Sequence, residues 1–110
     1  MRTISVENAA QELAKAIKET EAYTNLNSAH ARIKLDPSAQ DLISQMETSQ
    51  QSIQQAQMQG QPVEDEIKQL QQLQGQAMQN ETLKQLFQAQ EAFGKVMEET
   101  NKIINQELFS

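Results

Sequence analysis

The sequence predicts an all-α protein, four to five helices arranged as an elongated antiparallel helical hairpin or bundle. Three observations predict it. Apolar residues recur three, four or seven apart through most of the chain, the repeat of one helical face. Breaks in that repeat fall at Glu19, Asp36, Gly60 and Asn80, where helix start and stop residues also cluster. No stretch of five or more residues alternates apolar and polar side chains with β-branched enrichment, so no strand is predicted.

The first helix begins near Ser5. Ser5 can cap it, Glu7 suits the positive end of the dipole, and Ile4 precedes the cap. Val6, Ala9, Ala10, Leu13 and Ile17 form its stripe. The next stripe is Tyr23, Leu26, His30 and Ile33. Six residues separate Ile17 from Tyr23, which fits neither one turn nor two, so a break is placed at Lys18–Glu21 with Thr20 as a new N-cap.

Asp36-Pro37 is the clearest punctuation. Asp caps well, and Pro at the first helical position gives up an N–H that has no intrahelical partner there. The residue before Pro resists helical angles, which ends the preceding helix by Leu35 or Asp36. The third helix then runs from Pro37 to about Met58, with Ala39, Leu42, Ile43, Met46, Ile53 and Ala56 on its apolar face. Gln59-Gly60-Gln61-Pro62 is a connector short enough to make its flanking helices antiparallel neighbours. The fourth helix spans about Val63–Gln79, its stripe Ile67, Leu70, Leu73 and Ala77, its first turn acidic with Glu64, Asp65 and Glu66. At Asn80 the phase slips. Asn80 either caps a fifth helix or marks a bend in one long helix.

Glu81–Phe109 is the longest uninterrupted stretch. Leu83, Leu86, Phe87, Phe93, Val96, Met97, Ile103, Ile104 and Leu108 form its stripe. A helix of about 28 residues is roughly 40 Å long and cannot cover such a stripe alone. Other helices must lie along it.

The 110 residues are read as one domain, 1–110, and 37% apolar with 4% aromatic content makes for a thin aliphatic core. Self-association, as a homodimer or larger assembly, is one remedy for such a core. The net charge is −6, distributed as +1 over residues 1–35, −5 over 36–80 and −2 over 81–110. Nonspecific nucleic-acid binding needs clustered Lys and Arg, so none is expected. A basic partner surface would meet the acidic middle. With no cysteine, disulfides, thiolate zinc sites and cysteine-held iron–sulfur clusters are excluded. The N-terminus lacks the apolar core of a signal peptide, and no apolar run approaches the roughly 20 residues of a membrane span. A cytoplasmic protein without membrane contact is expected.

No catalytic, cofactor or metal site is expected. His30 is the single histidine, and Asn27 stands where a Glu-x-x-His motif needs glutamate, so it reads as a packed or interfacial residue. Glu64-Asp65-Glu66 and Glu98-Glu99 are helix neighbours that point to different sides, unlike carboxyls held across a cleft. Twenty residues are glutamine, many threaded between apolar residues at helical spacing, and they read as a solvated face. Gln74 and Gln90 follow stripe residues by four and read as candidates for a core or interface position. Met46, Met58, Met78 and Met97 read as core filler. Tyr23, Leu26, Phe87, Phe93 and Met97 are the candidate anchors of a core or an interface, because large apolar side chains dominate both.

The order of the segments NAAQELAKAIKETEAY, LNSAHARIKLDPSAQDLISQM, QMQGQPVEDEI and NKIINQELF resembles the YlbF/YmcA-like family of small bacterial helical proteins, most closely its YheA-like branch. ETEAY and KLDPSA are the most distinctive pieces, and the resemblance covers nearly the whole chain. It implies an all-helical, self-associating protein of the bacterial cytosol. Better-known relatives are non-enzymatic regulatory adaptors in competence, biofilm formation and sporulation, within complexes linked to RNA processing. Some relatives hold iron–sulfur clusters through cysteines, a property that does not transfer to a cysteine-free chain. The expected function is therefore regulatory, through helix-mediated contact with a protein partner. A small prefoldin-like holdase chaperone is the alternative, suggested by the helical hairpins and the acidic, Gln-rich middle.

Overall fold

The structure, a computed structural model, describes residues 5–110. Ile4 lies outside the described residues. Five helices follow one another: α1 (Val6–Lys18), α2 (Glu21–Ile33), α3 (Pro37–Met58), α4 (Glu64–Gln79) and α5 (Glu81–Phe109). No strand occurs among the described residues. The all-α expectation is met, and the question left open at Asn80 is answered. Asn80 adopts extended angles (φ −88°, ψ 116°), so α4 and α5 are separate helices.

Each boundary has a local chemical cause. The Ser5 hydroxyl accepts the Asn8 N–H at 3.0 Å and starts α1. Thr20 both ends α1 and begins α2. Its hydroxyl donates to the Ile17 carbonyl at 2.7 Å and accepts the Tyr23 N–H at 3.2 Å. Asp36 caps α3 by accepting the Ala39 N–H at 3.1 Å, with Pro37 opening the helix. Asn80 caps α5 by accepting the Leu83 N–H at 3.0 Å. At the end of α3 the Gln61 N–H returns to the Ala56 carbonyl at 2.9 Å and the Gly60 N–H to the Gln57 carbonyl at 3.1 Å. That is the Schellman arrangement, which needs a left-handed residue, and Gly60 supplies it at φ 69°.

The chain divides into two compact units. One is Ala29–Leu86, and the other comprises the described residues up to Ser28 with Phe87–Ser110.

Within Ala29–Leu86, α3 and α4 pack side by side as the expected antiparallel hairpin. The buried residues are small or aliphatic: Ala29, Ala39, Ser49, Ala56, Leu73, Ala77, Leu83 and Leu86. Alanine at so many contact positions lets helix backbones approach closely, at the cost of little apolar area per contact. The thin core expected from composition is present here. The corner between α2 and α3 is tied by the Gln40 side-chain amide, which donates to the Ile33 carbonyl at 3.0 Å. Arg32 on α2 donates to the Gln85 side chain on α5.

Among the described residues of the other unit only Ala89 is buried, and α1 has no buried residue. Ile17, Ala22, Tyr23, Leu26, Phe87, Phe93, Val96, Met97 and Thr100 are half-buried. From Asn101 to Ser110 every residue is exposed.

Candidate protein-interaction surface

The five sequence-derived anchors all fall in one compact unit and are all half-buried. Tyr23 on α2 and Phe93 on α5 meet each other, ring centroids 5.9 Å apart and planes tilted by 53°. That is the offset, tilted geometry aromatic rings prefer over face-to-face stacking. Leu26, Phe87 and Met97 belong to the same unit and are likewise half-buried.

The most exposed apolar side chains lie elsewhere. Val6 is 82% exposed and Leu13 39%, and Ala9 and Ala10 between them are also exposed. The stripe of α1 is therefore exposed over its first two turns and half-buried only at Ile17. The α5 stripe continues past Thr100 through Ile103 and Ile104 to Leu108, and all three are exposed. Phe109, at the end of α5, is 82% exposed. Periodicity identified these stripes; it carried no signal that they would lack a cover.

Several side chains expected in the core are exposed, and for His30, Gln74 and Gln90, each read as either core or interface, this removes the core alternative alone. His30 is exposed, and Ala29 takes the buried position on α2. A one-residue step rotates the position by about 100° around a helix, so the buried line on α2 runs through the small residue instead. Met58 (84% exposed) and Met78 (53%) are not core filler, while Met46 and Met97 are half-buried. Met58 and Met78 lie in the last turns of α3 and α4, where Ala56 and Ala77 take the buried line and the methionines fall off it. Gln74 and Gln90 are exposed, because Leu73 and Ala89 beside them occupy the buried line.

Two grooves mark the surface. One, ≈430 Å³, runs along the α3–α4 hairpin and is polar, with Ser44, Thr48, Ser52 and Glu66 among its walls. The other, ≈930 Å³, is an open trough along the second half of α5. Among the described residues no group of three His, Asp or Glu side chains could hold a metal ion. None of the described helices is long and apolar enough to cross a membrane. One carboxyl is perturbed. The Thr82 hydroxyl beside Asp36, with the Ala39 and Ser38 N–H groups and the Asn80 side chain, holds its carboxyl below the usual value of 3.8, against a smaller opposing effect of desolvation. This is the environment of a helix cap, stabilising the charged form at the starts of α3 and α5.

Comparison with known proteins agrees with the all-helical fold. A family model described as control of competence regulator ComK, YlbF/YmcA, matches residues 6–108. A UPF0342 protein of Lacticaseibacillus casei is 34% identical over 103 residues, spanning 93% of this chain and 90% of its own length. One from Staphylococcus saprophyticus is 32% identical over 96 residues, spanning 86% and 84%. One from Bacillus licheniformis is 28% identical over 107 residues, spanning 96% and 92%. A solved structure of a protein of unknown function (DUF964) from Bacillus stearothermophilus is similar with a TM-score of 0.78 and 26% identity, over 94% of this chain and 91% of that one. None of these descriptions names an enzymatic activity.

Proposed function

Because this chain belongs to the YlbF/YmcA family, we propose that it is a non-enzymatic regulatory adaptor of the bacterial cytosol that self-associates and docks on a protein partner through helical faces. One observation carries the reading. α1 is an amphipathic helix whose apolar stripe is exposed at Val6, Ala9, Ala10 and Leu13 and half-buried at Ile17. Helix-in-groove recognition uses apolar anchors at this one-turn and two-turn spacing. Placing Val6 in a partner's groove would contribute roughly 1.5–3 kcal/mol if it became fully buried, and Leu13, 39% exposed, would contribute less. The family description, control of a competence regulator, supports a regulatory role exerted through another protein.

Separately, in the unit Ala29–Leu86, Glu64 and Asp65 are exposed at the start of α4 and offer an acidic patch to a basic partner surface. Nucleic acid is not the partner, given a net charge of −6.

Co-purification of tagged protein from its native host tests the reading. A saturable complex of fixed stoichiometry with one protein is expected. Suppression of aggregation of several unrelated clients, with no such complex, would support a holdase instead. Turnover of a metabolite by the pure protein would overturn both.

A further inference from the structure

We propose that the trough along α5 is closed by the same trough of a second copy, the two α5 helices lying antiparallel about a two-fold axis that passes between Asn101 and Lys102. This rests on the self-association proposed above and gives it a location and a symmetry.

The trough is lined by residues of one helix, from Gly94 to Ser110. Six of them carry the argument. Reflection about the midpoint of Asn101 and Lys102 matches Gly94 with Phe109, Glu98 with Asn105, and Asn101 with Lys102. Each match is complementary. A side chain built on Gly94 would find nothing within 4 Å, so the surface there is an open notch. Phe109, 82% exposed, is the bulky apolar group at the opposite end. The Glu98 carboxylate is an acceptor and the Asn105 amide a donor. The Asn101 carbonyl is an acceptor and the Lys102 ammonium a donor. Lys102 of one copy also comes within a turn of Glu98 of the other. Among the described residues of this unit, ion pairs join Lys15 to Glu12 and Lys95 to Glu91, and Glu98 and Lys102 belong to neither.

A parallel arrangement has none of this. It sets Glu98 against Glu98 and Lys102 against Lys102, and it stacks notch on notch. Like charges placed opposite one another oppose association, so charge and shape select the antiparallel pairing. The result is an isologous interface, one patch used twice, the commonest way for two copies of a chain to close. Because one member of the shape match is glycine, the two backbones can come together at the short end of helix–helix distances.

The native chain has no cysteine, so a single introduced thiol reports on proximity without background. Asn101→Cys, beside the axis, should form a covalent dimer on mild oxidation, and Gln71→Cys, exposed on α4, should not. Gly94→Gln fills the notch and should weaken the dimer at least about tenfold, the scale of a lost interface anchor. Glutamine favours a helix more than glycine does and meets no neighbour at this position, so loss of dimer would not reflect loss of fold. Circular dichroism checks this directly. Equal crosslinking of the two cysteine variants, or an unchanged dimer in Gly94→Gln, would place the interface elsewhere while leaving self-association standing. A wild-type mass of 12.4 kDa at tens of micromolar would overturn both.

Discussion

Tyr23 and Phe93 stand 5.9 Å apart, centroid to centroid, and join α2 to α5 in the unit that contains α1. Among the described residues of that unit Ala89 alone is buried, so half-buried side chains such as this aromatic pair carry much of its packing. Phe93→Ala should cost about 2 kcal/mol, below the roughly 3–5 of a fully buried ring, because Phe93 is half-buried. A double-mutant cycle with Tyr23→Ala should show a coupling of about 0.5–1.5 kcal/mol in urea unfolding. Strictly additive losses would mean that the two rings do not interact in solution.

Two glycine substitutions should move stability in opposite directions. Gly60 holds φ 69° at the end of α3, a conformation that costs an L-residue about 1–2 kcal/mol, so Gly60→Ala destabilises. Gly75 is helical with nothing within 4 Å of an added Cβ, so Gly75→Ala stabilises by about 1 kcal/mol. Urea midpoints that shift the same way in both variants would contradict the backbone assignment.

Asp36 makes stability sensitive to acid. Its folded-state value lies below the ordinary 3.8, first through Thr82 and then through the Ala39 N–H. The stabilisation is therefore complete above 3.8 and is lost as pH falls through that value to the folded-state one. Thr82→Val should shrink this acid-dependent loss, and Asp36→Asn should abolish Asp36's share of it. Thermal melts between about pH 2 and 6 decide the matter. A variant curve parallel to wild type would show that Asp36 is not specially held.

The helix boundaries were legible in the sequence because each rests on chemistry confined to a few residues. Ser5, Thr20, Asp36-Pro37, Gly60 and Asn80 all act within one turn of themselves. The covering of each face was not legible. Periodicity says which side of α1 is apolar, and the same pattern would arise whether or not another helix lay against it. The choice of Ala29 over His30 is decided by how α2 is rotated against its neighbours, and hydrophobicity alone carries no such information. Gly94 carries no signal of its own in the sequence, because its place in a trough depends on the side chains one and two turns away.

The pure protein should not bind RNA or DNA. Net charge −6 leaves no basic stripe to release counterions. Fluorescence anisotropy with labelled single-stranded RNA at about 0.1 M salt should show no micromolar affinity. Binding that weakens steeply with added salt would contradict this.

The central claim, that the protein works by docking a helical face on a protein partner, is tested most directly by calorimetric titration of the co-purified partner with the doubly substituted chain Val6→Glu, Leu13→Glu. Neither residue is buried, so circular dichroism should match wild type. Partner affinity should fall by at least about a hundredfold, as two apolar anchors are lost and two charges face the groove. Unchanged affinity with unchanged helicity would show that the exposed part of the α1 stripe is not the docking face and would contradict the account.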